Sequence, residues 1–131
     1  WFDNQDPFED GSLTVSDDES TGRKPGDDEY IEFDLGKVPS NTKSIIFLAN
    51  AFKPNVTFAN VESVTINLVD RGNRNTPFGK FFVDAEAEKS AIALLKVYRE
   101  TPDGPWLRKV LQEYGNAKSK SEVIRFARQF S

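Results

Sequence analysis

Short segments of alternating apolar and polar residues, separated by turn signals, most restrict the fold of this 131-residue chain. In "EYIEFDL" at 29–35 the alternating apolar residues are Ile31, Phe33 and Leu35, and in "VESVTINLVD" at 61–70 they are Val64, Ile66 and Leu68. A period of two is typical of strands with one buried face. We expect about seven or eight such strands, which favours a mainly β fold, a β-sandwich of antiparallel or mixed strands.

The remaining strand predictions depend on apolar runs between breaks. The continuous run "SIIFLANAF" at 44–52 is interpreted as a central strand, because it is short and β-branched at its start. "KSAIALLKVYRE" at 89–100 fits a helix or a hairpin arm, and the following "TPDGPW" turn favours the arm. Further strands are expected at Leu13–Val15, at 80–84 after a break over 71–79, and at 106–115 as the partner arm.

The last segment has a different, helical pattern. Ser119 and Glu122 fit a capping box at the start of "SKSEVIRFARQF". The apolar residues recur at helical spacing, at Val123, Ile124, Phe126, Ala127 and Phe130. Arg125 and Arg128 lie towards the C-terminus, where the helix dipole favours cations. We therefore expect a C-terminal helix that packs its apolar face on the sheets.

Composition excludes several classes of chemistry. The chain has no Cys, His or Met, so disulfides, thiolate or imidazole metal ligands and Cys or His nucleophiles are excluded. It has no apolar run near the roughly 18 residues of a membrane span and no signal-peptide pattern, so we expect a cytoplasmic protein. Because it begins at Trp1, we interpret residues 1–131 as one domain that is a fragment or processed form of a longer chain.

Negative charge is concentrated in the first quarter of the chain. Residues 1–36 carry 12 acidic and 2 basic side chains, whereas residues 37–131 carry 9 acidic and 15 basic ones. "SDDESTGRKPGDDE" at 16–29 alone holds six carboxylates, in two triplets around a Gly- and Pro-containing turn. The Lys and Arg residues of the remainder form no clustered stripe, so nucleic-acid binding is not expected.

Six carboxylates in one short segment repel one another unless a cation or water separates them. An all-oxygen ligand set suits a hard cation, and calcium accepts 6–8 oxygens in a flexible geometry that magnesium does not tolerate. Gly22 and Gly26 permit the tight backbone that lets such ligands converge. An EF-hand is rejected, since Lys24 and Pro25 break its loop pattern and flanking helices are absent from the pattern. A solvated acidic loop remains the alternative.

"STGRKPGDDEYIEFDLGKVPSNTKSIIFLANAF" at 20–52 resembles the TerD family of tellurium-resistance and stress-response proteins. The family's T-G-x-x-x-G-D-D-E stretch matches Thr21, Gly22 and the run from Gly26 to Glu29. "FANVESVTINLVD" at 58–70, the late hairpin and the closing helix are also similar, so the resemblance covers nearly the whole chain. The sequence departs from the family where Asp17-Asp18-Glu19 replaces a usual Gly-Asp-Asn.

The resemblance implies a calcium-binding β-sandwich that acts as a scaffold or sensor in tellurite or chemical stress and is not an enzyme. It implies that the metal ligands are Asp18, Asp27, Asp28 and Glu29, with Asp17 and Thr21 beside them. Glu19 is a further candidate as a carboxylate of the first triplet. It further implies other stress-response proteins as partners, including membrane-associated ones, without insertion of this chain into a membrane. Direct tellurium chemistry is not expected, because soft sulfur ligands or redox thiols would be its simplest basis.

Two other functions remain open at the level of the sequence. The first is an interaction module with a vestigial metal site. It would bind another protein through an exposed sheet edge. The second is a hydrolase, which would need paired carboxylates with separated pKa values in a cleft. Adjacent Asp27 and Asp28 would point in different directions on extended backbone, so their adjacency alone is poor support for a hydrolase.

Overall fold

The computed structural model describes residues 13–15, 31–60, 64–70, 76–83 and 88–131. The chain divides into two compact units. The first comprises Trp1–Lys43 and Glu100–Trp106, and the second comprises Ser44–Arg99 and Leu107–Ser131. Each unit is considered by itself below.

The described residues form seven strands and one α-helix. All of the strand pairs are antiparallel, which confirms the predicted mainly β class with a single C-terminal helix. A 3-10 turn is formed at Phe58–Asn60. The elements are β1 Leu13–Val15, β2 Ile31–Phe33, β3 Ser44–Asn50, β4 Val64–Asp70, β5 Thr76–Val83, β6 Ala91–Tyr98, β7 Leu107–Gly115 and α1 Lys120–Arg128.

A three-stranded sheet of order β3–β6–β7 dominates the second unit. The strand interpretation of 89–100 is confirmed, and β6 is the middle strand, with the side chains of Ala91–Leu95 all buried. The expectation that β3 is central is wrong within the described strands, since β3 lies at one side of this sheet. Every residue of β3 is half-buried, and this intermediate environment accounts for its continuous apolar run.

The second sheet of this unit is the β4–β5 hairpin. The break expected over 71–79 ends earlier than predicted, because β5 already begins at Thr76. Its backbone pairs Pro77 with Val69, next to a register shift between Leu68 and Val69. Proline is tolerated at bulges and on outer strands, where no ladder N–H is needed. Pro77-Phe78-Gly79, which the sequence pattern places in the break, therefore belongs to strand β5.

Helix α1 begins with the predicted capping box. Ser119 Oγ accepts a hydrogen bond from the Glu122 backbone N–H at 3.3 Å. Glu122 Oε2 in turn accepts from the backbone N–H groups of Ser119 at 3.1 Å and Lys118 at 2.6 Å. These bonds satisfy donors that a helix N-terminus otherwise leaves open. They fix where the helix starts.

The capping carboxylate predicts a pH dependence of stability. Hydrogen bonds from the Lys118 and Ser119 backbones hold the pKa of Glu122 below the ordinary 4.5. A depressed folded-state pKa contributes stability above the unfolded-state pKa, and this contribution is lost as the pH falls through the folded value. In urea titrations from neutral to acidic pH, Glu122→Gln should therefore be less stable than the wild type at pH 7. The difference should close below about pH 4.5.

Glu113→Gln, which changes an exposed carboxyl on β7, is the matched control for the loss of charge. A wild-type-to-Glu122→Gln difference that stays constant down to the lowest pH would contradict the capping role.

The apolar face of α1 packs against the three-stranded sheet. Val123 and Phe126 are buried from the helix side, and the Phe126 ring meets Phe130 edge-on at 5.3 Å between centroids. The buried cluster consists of Ala91, Ala93, Ala117, Val123 and Phe126, with Leu48, Leu111 and Phe130 packed against it. Alanines on the sheet leave room for the aromatic ring from the helix.

A lysine clamp precedes the helix and was not expected from the sequence. Lys118 Nζ donates to the backbone carbonyls of Ala51 at 2.7 Å, Lys53 at 2.9 Å and Val56. An ammonium has three donors, and here all three meet carbonyls of the segment that follows β3. This side chain therefore ties the loop after β3 to the N-terminus of α1.

Candidate metal site

The predicted metal ligands lie in the connection between two paired strands. In the first unit, β1 and β2 pair antiparallel with Val15 opposite Ile31 and Leu13 opposite Phe33. The Cα atoms of directly opposed residues are about 5 Å apart in such a pair. Residues 16–30 therefore leave and re-enter the sheet at neighbouring positions.

All seven candidate ligands lie outside the described residues. They belong to the 16–30 connection, which the register of β1 and β2 closes into a hairpin. Both acidic triplets thus lie between the same two paired strands. The candidates are Asp17, Asp18, Glu19, Thr21, Asp27, Asp28 and Glu29.

The donor chemistry of this set fits a hard cation. Six of the seven side chains are carboxylates and the seventh is a hydroxyl, which are the oxygen ligands that calcium prefers. In the part of the chain that the structure describes, no three acidic side chains form a group that could hold a metal ion. The 16–30 connection is the candidate because it holds six carboxylates within 15 residues.

The turn after β2 uses its own acidic residue for backbone structure. Asp34 Oδ1 accepts a hydrogen bond from the Gly36 backbone N–H at 2.9 Å, and the Asp34 carbonyl accepts one from the Lys37 N–H at 3.1 Å. This is the local bonding by which Asp stabilises turns. Asp34 thus shapes the exit of β2, and it does not extend the candidate ligand set.

The Trp106 side chain links two distant segments of the first unit. Its ring Nε1 donates to the Leu35 carbonyl at 3.2 Å, and the side chain is half-buried. The residues that follow β2 are in this way joined to the Glu100–Trp106 segment, 71 positions further along the chain. Periodicity in the sequence carries no signal for such a long-range bond.

The sequence model of the TerD domain matches residues 1–117. None of the helices in the described residues has the length and apolar character that crossing a bilayer requires.

Three curated relatives are similar to this chain. The stress response protein SCP2 of Bacillus subtilis (strain 168) is 28% identical over 92 residues, covering 68% of this chain and 46% of that protein. The tellurium resistance protein TerD of Serratia marcescens is 31% identical over 109 residues, covering 80% and 56% respectively. The tellurium resistance protein TerZ of Serratia marcescens is 26% identical over 96 residues, covering 73% and 47%. The chain thus spans about half the length of these relatives.

Proposed function

Because this chain belongs to the TerD domain family, we propose that it is a calcium-binding module in tellurium resistance or stress response. It acts as a scaffold or sensor and carries out no catalysis. The relatives are named for tellurium resistance and stress response, and the proposal transfers that role to this chain. Other proteins of the same response would be its partners.

The closure of the acidic connection by β1 and β2 is the observation that carries the proposal. Val15 and Ile31 are opposed in the antiparallel pair, so the two ends of the segment that holds both triplets lie at neighbouring positions. Carboxylates that would otherwise repel one another are held in one connection of 15 residues, positions 16–30. A bound cation offsets that repulsion, and it adds stability that grows with the logarithm of the free cation concentration above the dissociation constant.

The ligands in this proposal are the carboxylates of both triplets and the Thr21 hydroxyl. Calcium would supply the positive charge that offsets the repulsion among these carboxylates. The paired strands β1 and β2 flank the connection, so calcium binding in the connection would stabilise their pairing. This gives a sensor without any reaction chemistry, consistent with the absence of Cys, His and Met from the chain.

Calcium should stabilise the protein selectively over magnesium. A ligand that binds only the native state adds about 2.7 kcal/mol at a hundredfold excess over its dissociation constant. For a domain of this size, that shifts Tm by several degrees or more. The measurement is a thermal melt of the full chain in EDTA, then in rising calcium, and separately in rising magnesium.

The double variant Asp27→Asn/Asp28→Asn should lose the calcium-dependent rise in Tm. The matched control, Asp103→Asn/Glu113→Gln, removes the same charge from exposed positions outside the connection and should keep the rise. If millimolar calcium leaves the wild-type Tm unchanged, the acidic connection is solvated or vestigial. The interaction-module function then replaces the calcium function.

A further inference from the structure

One face of the three-stranded sheet is only partly covered by α1. Leu48 contacts the helix cluster, and side chains two residues apart on a strand share a face. Ile46 therefore lies on the helix side of β3. Its register partner on β6 is Lys96, whose own partner on β7 is Lys109. The two lysines accordingly lie on the same face as the helix, further along the strands.

We call the part of this sheet face that lies beyond α1 the lysine face. Its members are half-buried or exposed, in contrast to the buried alanines under the helix. The Leu107 side chain is 39% exposed and is the register partner of Tyr98, so apolar and aromatic surface adjoins the two ammonium groups. The lysine face comprises Ile46, Lys96, Tyr98, Leu107 and Lys109.

The lysine face places two cationic side chains in directly opposed positions of adjacent strands. Lys96 Nζ lies 5.2 Å from the centroid of the Tyr98 ring, and its directly opposed neighbour is a second lysine. Like charges in opposed positions of a sheet destabilise it. The folded chain therefore tolerates an unfavourable pair, as expected where a surface is arranged for an anionic partner.

The bulged outer strand argues against edge-to-edge pairing as the mode of contact. The register of β6 against β7 shifts between Ala93 and Leu95, and Gln112 has a φ of 51°, in the left-handed region. Bulges on outer strands interrupt the continuous ladder that another strand would need. The contact that the charges favour is consequently through the face, not through the strand edge.

We propose that the lysine face binds the acidic N-terminal quarter of a second copy of this chain, so that the protein self-associates. Residues 1–36 carry 12 acidic and 2 basic side chains, which makes them electrostatically complementary to the opposed lysines. A reciprocal arrangement, in which each copy contributes one acidic segment and one lysine face, closes as a symmetric dimer. The proposal does not require bound calcium.

Sedimentation equilibrium of the full chain in EDTA tests the proposal over a wide concentration range. We expect a monomer–dimer equilibrium that is displaced towards monomer at high salt, where charges are screened. Lys109→Glu should weaken dimerisation by at least about tenfold, since it places like charge against the acidic segment. The same substitution creates an opposed Lys–Glu pair on the sheet, so its monomer should melt at a higher temperature than the wild type.

Two further variants keep the test specific. Lys96→Glu/Lys109→Glu should abolish the dimer. The matched control Lys53→Glu/Lys89→Glu alters two exposed lysines near the opposite end of the sheet and should retain it, apart from a general weakening by net charge. A chain that stays monomeric at every concentration overturns the proposal, including the case in which its own acidic segment covers the face. Equal loss in both double variants also overturns it. Running all samples in EDTA keeps this outcome separate from that of the calcium melt.

Discussion

Replacing Phe126 with alanine should lower the free energy of unfolding by about 3–5 kcal/mol, the usual range for removing a buried aromatic ring. The Phe126 side chain is 7% exposed and joins the helix to the alanines of β6. A Cβ on Gly115 would overlap its ring, so the ring occupies space that a glycine on β7 leaves open. Urea unfolding monitored by circular dichroism measures the loss.

Ile124→Ala is the matched control on the same helix. Ile124 is 44% exposed, so its truncation should change stability by no more than about 1 kcal/mol. Gly115→Ala should be destabilising by about 1–3 kcal/mol through overpacking. If Phe126→Ala and Ile124→Ala cost the same, α1 does not depend on the cluster described for it.

The helix was the element best predicted from the sequence, because its signals are local. Ser119 and Glu122 specify a cap within four residues, and the structure forms that cap. Apolar spacing identified Val123 and Phe126 as buried residues, and both are buried. It also placed Ile124 on the apolar face, yet Ile124 is largely exposed. Helical periodicity identifies the residues at the centre of a buried face more reliably than those at its margins.

Strand positions were predicted better than strand neighbours. The alternation in β2 and β4 and the hairpin of β6 and β7 are local patterns, and the structure contains these strands. Which strand lies in the middle depends on contacts between distant segments. The apolar run of β3 and the mixed run of β6 do not by themselves reveal that β6 is the middle strand. For the same reason, the bond from Lys118 to the loop after β3 has no signature in the sequence.

For the candidate metal site, the sequence identifies the oxygen ligands, and the structure shows that the strands on either side of them are paired. The carboxylates of the 16–30 segment are evident from composition and from resemblance to the TerD family. The antiparallel register of Val15 with Ile31 is the additional fact that joins both triplets in one hairpin connection. Strand pairing over 16 positions is a non-local event, so alternation in each strand predicts the strands without fixing their register.

Leu95→Ala should be the second severe substitution, with a loss of about 2–5 kcal/mol. The Leu95 side chain is 2% exposed in the middle strand of the three-stranded sheet. Its truncation removes transfer free energy and leaves a cavity that neighbouring strands on both sides prevent from collapsing. Equilibrium unfolding in urea measures the loss in free energy of unfolding. An unchanged m-value would show that the surface area exposed on unfolding is the same in the variant and the wild type.

The register partner of Leu95 provides a control of the same sheet and the same face. Val110 lies directly opposite on β7 but is 56% exposed, so Val110→Ala should cost no more than about 1 kcal/mol. The two positions share a cross-strand contact and differ in burial, so the contrast isolates the contribution of the middle strand. Equal losses at both positions would contradict the assignment of β6 as the buried centre, because a peripheral strand would then carry as much of the core as the strand it flanks.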